Sequence, residues 1–170
     1  MDTAYKTTLE LDKVLARAVQ LCACQETKEM MQALEPAPTI EDERYDLAQT
    51  NAINALLIKN GSPRFGSVRE VRRIVAHARK GGILSMGELL EIAATLRNFS
   101  GLSQWYGLSE HEMLPTDDLF FSLAPQPVLE NQISESILSP EEMADTASVT
   151  LHDLRRKIRQ TEDSIRTKLD

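Results

Sequence analysis

Apolar residues recur every three or four positions along most of the chain, the spacing of one helix face. No segment sustains the apolar/polar alternation of a half-buried strand. Leu11, Val14, Leu15, Ala18, Leu21 and Cys22 form the first stripe, with Glu10, Asp12, Lys13 and Arg17 off it, which predicts a helix over residues 9–34. Pro36 and Pro38 stop it. Thr39 followed by Asp42 predicts an N-cap and a second helix to about Lys59, with Ile40, Leu47, Ala48, Asn51, Ala55 and Ile58 as its inner stripe. Asn60-Gly61-Ser62-Pro63 reads as C-cap and turn.

Ser67-Val68-Arg69-Glu70 has the form of a capping box, starting a short helix that ends at Gly81-Gly82. Ser85-Met86-Gly87-Glu88 is a second box, with Leu84 and Leu89 placed as a hydrophobic staple, and its helix runs to about Tyr106. Residues 108–127 read as a connector with a short helix around 118–124, and residues 127–135 as another helix. Ser139-Pro140-Glu141-Glu142 suggests a third cap, with a Leu138/Met143 staple. In the last helix Ala147, Leu151, Leu154, Ile158, Thr161, Ile165 and Lys168 keep heptad spacing. No Gly, Pro or C-cap follows it, which suggests continuation into a longer chain. The expected fold is all-α: a helical core of about five to seven helices over residues 1–146, then from 147 the start of a long coiled-coil helix. Leu151, Leu154 and Ile158 are expected to anchor that helix to the core.

Composition is that of an ordinary globular chain, with 42% hydrophobic and 26% charged residues in 170. No apolar run approaches the length of a membrane span, and the first residues lack a leader pattern, so a cytoplasmic protein is expected. The net charge of −7 argues against a surface that is basic throughout, yet two basic clusters stand out. Residues 64–82 hold six Lys and Arg against Glu70 alone, with Arg69, Arg72 and Arg73 at helical spacing. Residues 151–170 hold another six against four acids, with Arg155, Arg159 and Arg166 on the flank of the heptad seam beside Arg156. Segregated positive charge suits a phosphate backbone, because each contact releases condensed counterions. Flank charges of a coiled-coil helix also pair with neighbouring acidic helices, which is the competing explanation.

Catalytic chemistry finds little support. Gly81-Gly82 lacks the Lys and Ser/Thr of a phosphate loop, and His111-Glu112 lacks a second His four residues on, so it reads as a solvated connector pair. Cys22 and Cys24 on one helix would point about 200° apart, which argues against a metal or redox pair. Trp105-Tyr106 reads as a packing plug at a helix end rather than a base-stacking platform. No catalytic, cofactor-binding or metal-ligating residue is identified.

The chain resembles the bacterial MutS-like type II family, the MutS paralogues without mismatch-reading domains. The resemblance rests on Leu9-Glu10-Leu11-Asp12-Lys13-Val14-Leu15, Leu34-Glu35-Pro36, Gly61-Ser62-Pro63-Arg64-Phe65-Gly66, and Lys80-Gly81-Gly82-Ile83-Leu84. It continues through Glu88-Leu89-Leu90-Glu91-Ile92-Ala93, Leu96-Arg97, Leu129-Glu130, Asp145-Thr146-Ala147-Ser148 and Leu154-Arg155-Arg156-Lys157-Ile158-Arg159. The chain departs from the family at Gln49 and Asn51, where acidic residues are usual, and at residues 138–143, where a Gly- and Asp-containing turn is usual. The resemblance implies an N-terminal core and lever region of a longer, homodimeric ATPase that uses ATP and Mg²⁺ and often carries a C-terminal nuclease domain. It further implies partners in branched DNA or the ribosome and its rRNA, with roles in recombination, DNA repair and rescue of collided ribosomes. None of the ATPase or nuclease residues falls in this chain. The alternative is a helical interaction or dimerisation scaffold that touches no nucleic acid.

Overall fold

The computed structural model describes residues 8–64, 66, 68–108 and 110–169, residue 169 in its backbone alone. The described helices are α1 (Leu11–Leu21), α2 (Gln25–Gln32), α3 (Ile40–Asn60), α4 (Arg72–Arg79), α5 (Met86–Tyr106), α6 (Asp117–Phe121), α7 (Pro127–Ser136) and α8 (Val149–Leu169). Strands β1 (Ile137–Ser139) and β2 (Glu142–Met143) form a small antiparallel ribbon, followed by a 3₁₀ turn at Asp145–Ala147. The all-α expectation holds, with that ribbon as the exception. The chain divides into two compact units, Met1–Glu70 with Asn98–Pro125, and Val71–Arg97 with Gln126–Asp170.

In the first unit the helix expected over 9–34 is two helices. Cys22 is extended, and Cys24 is the N-cap of α2 in extended conformation, its Sγ 2.9 Å from the hydroxyl of Thr27. Cys24 makes no side-chain bond to a backbone amide of α2, and a new helix starts there although the apolar pattern runs on. Cys22 and Cys24 therefore do not share a helix, and the rotational argument applied to them does not hold. α3 starts as expected: Thr39 Oγ1 accepts from the Asp42 amide at 3.1 Å, ahead of Glu41, Asp42 and Glu43 in the first turn. Its buried face differs from the expected stripe. Leu56 is buried with Leu57 packed against its cluster, whereas Ile40, Leu47 and Ile58 are exposed. With apolar residues on both sides of α3, periodicity alone could not choose the inner face. The core here joins Leu56, Trp105 and Tyr106, flanked by Leu114 and Phe120. Tyr106 stacks on Phe120 at 3.9 Å, and the Trp105 indole donates to the Gly61 carbonyl at 2.8 Å. Each large apolar side chain so enclosed is worth about 1.5–3 kcal/mol.

In the second unit α4 begins at Arg72, with residues 68–71 outside the helix, so it starts later than the sequence suggested. Ser67, the cap residue of the expected box, lies outside the described residues. The second box is formed: the Ser85 amide donates to Glu88 Oε2 at 2.8 Å and the Glu88 amide donates to Ser85 Oγ at 3.3 Å. The Ser85 amide, and the Ser85 hydroxyl donating to the same oxygen at 2.8 Å, hold the Glu88 carboxyl below the usual carboxylate range. Ala93, Ile133 and Ile137 form the core, with Met86, Leu89, Leu90 and Ile92 against it. Arg97 clamps α5 to α7, donating to Glu130 Oε1 at 2.9 Å and to Ser134 Oγ at 3.1 Å.

The third expected helix start is instead the ribbon. Ile137 pairs with Met143 and Ser139 with Glu142, leaving Pro140 and Glu141 as the turn. β-branched Ile137 is buried, and that burial favours the extended strand over another helical turn. The real cap of α8 is Ser148, whose Oγ accepts from the Leu151 amide at 3.1 Å.

Candidate nucleic-acid interface

The α8 cluster falls in the second unit, and the other is divided, with Arg64 and Arg69 in the first unit and Arg72, Arg73, Arg79 and Lys80 in the second. By sequence the first unit carries 8 Lys and Arg against 15 Asp and Glu, and the second 11 against 11, so the net charge resides in the first. Positive charge in the second unit is concentrated on α4 and α8, the rest of it being acidic.

Along α8, 100° per residue places Arg155, Arg159 and Arg166 within an arc of about 40°, with Arg156 well to one side. The structure separates these four by their partners. Arg155 Nη1 donates to Asp145 Oδ1 and, at 2.9 Å, to the Met143 carbonyl. Arg159 Nη1 donates to Asp145 Oδ2 at 3.2 Å. Two guanidiniums on one carboxylate hold the Asp145 acid below its ordinary range, the Arg155 bond contributing most. Among the described residues Arg156 pairs only with Asp153, at 3.5 Å, with both side chains about half exposed. Arg166 is exposed, with no ion-pair partner among the described residues. On the other cluster Arg69 precedes α4, and Arg72 and Arg73 occupy its first turn, all three exposed.

The base of α8 is consequently held by polar contacts more than by its seam. Leu151 is half-buried, but Leu154 and Ile158, expected as anchors, are exposed, and the helix packs on the 3₁₀ turn. Asp145 as joint partner of Arg155 and Arg159 was not singled out in the sequence. The available signal was its place just before the Ser148 cap, where a carboxylate can reach the first two turns of the helix that follows.

A second polar cluster lies in the first unit. Tyr106 Oη donates to Asp117 Oδ1 at 2.7 Å and so accepts from the Thr116 hydroxyl at 2.8 Å. The Leu114 amide donates to Asp117 Oδ2 at 3.0 Å, and His111 Nε2 stands 3.5 Å from Oδ1. These bonds lower the Asp117 acid, the Tyr106 bond most, while burial raises the Tyr106 phenol. His111 is thus not a solvated connector residue: its side chain is 19% exposed and meets the Tyr106 ring edge-on, while Glu112 is exposed. Both Asp117 oxygens are occupied by donors that fasten the end of α5 to the connector and α6, a structural use rather than an acid–base one. Trp105 and Tyr106 are buried packing groups, not a stacking platform. Among the described residues no group of His, Cys, Asp and Glu is arranged to hold a metal ion. No described helix is long and apolar enough to cross a membrane.

No protein-family model matches the chain. It is similar to proteins named Endonuclease MutS2. That of Ruminiclostridium cellulolyticum is 32% identical over 172 residues, covering 100% of this chain and 22% of that protein. That of Clostridium beijerinckii is 29% identical over 163 residues, covering 95% and 21%. That of Halothermothrix orenii is 29% identical over 178 residues, covering 100% and 22%. The chain belongs with the MutS2-like proteins, and it spans about a fifth of the length of the curated relatives it matches.

Proposed function

We propose that this chain is a non-catalytic helical region of a longer MutS2-type protein, in which α8 forms the base of a lever linking an ATPase to a nucleic-acid or ribosome clamp. On this reading the whole protein is a cytoplasmic, homodimeric, DNA-binding ATPase whose ATP and Mg²⁺ are held outside this chain. It acts on branched DNA to suppress homologous recombination and on collided ribosomes to rescue them. The supporting observation is similarity along the whole chain to proteins named as endonucleases, of which the chain covers only about a fifth. The chain's contribution is mechanical. The packed second unit carries the base of α8, and a rigid helix rising about 1.5 Å per residue turns small rotations at its base into larger displacements at its tip. Arg156 and Arg166 are the phosphate contacts of α8, Arg155 and Arg159 share that role with their hold on Asp145, and Arg72 and Arg73 on α4 and Arg69 in the first unit are further phosphate contacts.

A scaffold reading, with no nucleic-acid contact, draws on the engagement of Arg155 and Arg159 by Asp145. Two double variants of the full-length protein separate the readings. Arg156→Glu with Arg166→Glu removes charge without touching Asp145. It is expected to weaken DNA binding and flatten the salt dependence by up to about one unit of slope per lost phosphate contact, at unchanged Tm. Arg155→Glu with Arg159→Glu is expected to lower Tm as well, because Asp145 then faces two carboxylates. An unchanged salt slope in the first variant retires the nucleic-acid role of α8 and leaves the scaffold.

A further inference from the structure

The first unit carries an apolar groove of about 610 Å³, floored by Leu11, Leu15, Leu34 and Leu47 from α1, α3 and the segment between α2 and α3. Glu43 and Asp46 stand along one margin, one helical turn apart on α3. Neither carboxylate has an ion-pair partner among the described residues. A groove of this kind accepts the apolar face of an amphipathic helix, and acids on its rim select one with cations beside that face.

The second unit presents such a helix. On α8, Leu154, Ile158 and Ile165 are 52%, 56% and 54% exposed and lie on one stripe. Helical rotation sets Lys157 and Lys168 along one border of that stripe and Arg166 along the other, with Glu162 the single acid beside it. The two surfaces match in form, a stripe against a groove, and in sign, cations against acids. We infer that α8 of one copy docks its Leu154–Ile158–Ile165 stripe in the α1/α3 groove of a second copy, with Lys157 and Lys168 facing Glu43 and Asp46. This pairing goes beyond the nucleic-acid reading and does not depend on it, since the residues that test it are not among the proposed phosphate contacts.

The test is sedimentation of the 170-residue chain from micromolar to millimolar concentration, with circular dichroism confirming that each variant is folded. Wild type is expected to self-associate, more weakly as salt rises. A groove variant, Glu43→Lys with Asp46→Lys, and a helix variant, Lys157→Glu with Lys168→Glu, are each expected to weaken self-association by about tenfold or more. Mixing the two is expected to restore association, because the groove variant still offers a native α8 and the helix variant a native groove. Adding Leu154→Asp to both variants should abolish that restoration. A wild-type chain that stays monomeric throughout overturns the pairing, as does a folded groove variant that associates like wild type. Failure of the mixture to recover also overturns it.

Discussion

Gly61 follows α3 with φ 72° and ψ 178°, a conformation that side chains with a Cβ avoid, and its carbonyl receives the Trp105 indole proton. A methyl group there would meet nothing within 4 Å, so the cost of Gly61→Ala is confined to the backbone. Thermal or denaturant unfolding of that variant is expected to show a loss of about 1–3 kcal/mol. A variant as stable as wild type would show that the turn relaxes without losing the Trp105 bond. Gln49 illustrates a different local choice. Its amide donates to the Pro115 carbonyl at 3.1 Å, beside the Tyr45 hydroxyl on the same oxygen. An ionised acid at that position would have no proton to give, so it is the amide that ties the connector to α3.

Among the helices α8 is the least enclosed. Its first turns contact the 3₁₀ turn and Asp145, while Ile158 and Ile165 are exposed. Helices without tertiary cover are marginal, because propagation alone barely offsets backbone entropy. Amides of residues 162–168 are therefore expected to exchange at least ~10²-fold faster in dilute solution than those around Ala93 in α5. Equal protection in the two helices would mean that the far end of α8 is already covered in the monomer. At high concentration the inferred pairing should slow exchange in α8 and around Leu47 together. The ribbon at Ile137–Ser139 and Glu142–Met143 matters to α8 as well, since it presents the Met143 carbonyl to Arg155.

Both units depend on a carboxylate whose acid form is disfavoured, Asp117 in the first and Asp145 in the second. A folded-state pKa below the unfolded value means that the stabilisation is present above the ordinary Asp value of about 3.9. It is lost as pH falls below that value through the lowered one. Melting temperature is thus expected to drop on acidification through this range. Asp145→Asn should remove part of that slope while lowering Tm at neutral pH, and Asp117→Asn should do the same through Tyr106 and the Leu114 amide. Acid sensitivity undiminished in the double variant would place the effect on other carboxylates. Since the net negative charge resides in the first unit, added salt should relieve self-repulsion mainly there.

Helical character, the Thr39 and Ser85 caps, the turn at Gly61 and the two basic clusters were legible along the chain, because each depends on neighbours within about one helical turn. The family was legible too, from the order and spacing of many short motifs rather than from any one site. Four features were settled by contacts distant in sequence or by competition between local alternatives. α3 turns Leu56 inward because Trp105 and Tyr106 meet it, a choice invisible to a helix apolar on two faces. The break at Cys22–Cys24 leaves the apolar period intact, so periodicity passes over it. Residues 137–143 carry a plausible cap, yet burial of Ile137 with Ala93 and Ile133 favours the strand. Arg155 and Arg159 look alike beside Arg166 in sequence, and they differ because the fold brings Asp145 to the first two and not to the third. Local hydrogen bonds carry their own signal in nearby residues, whereas the partner of a long charged or apolar side chain is known only once the chain has folded back on itself.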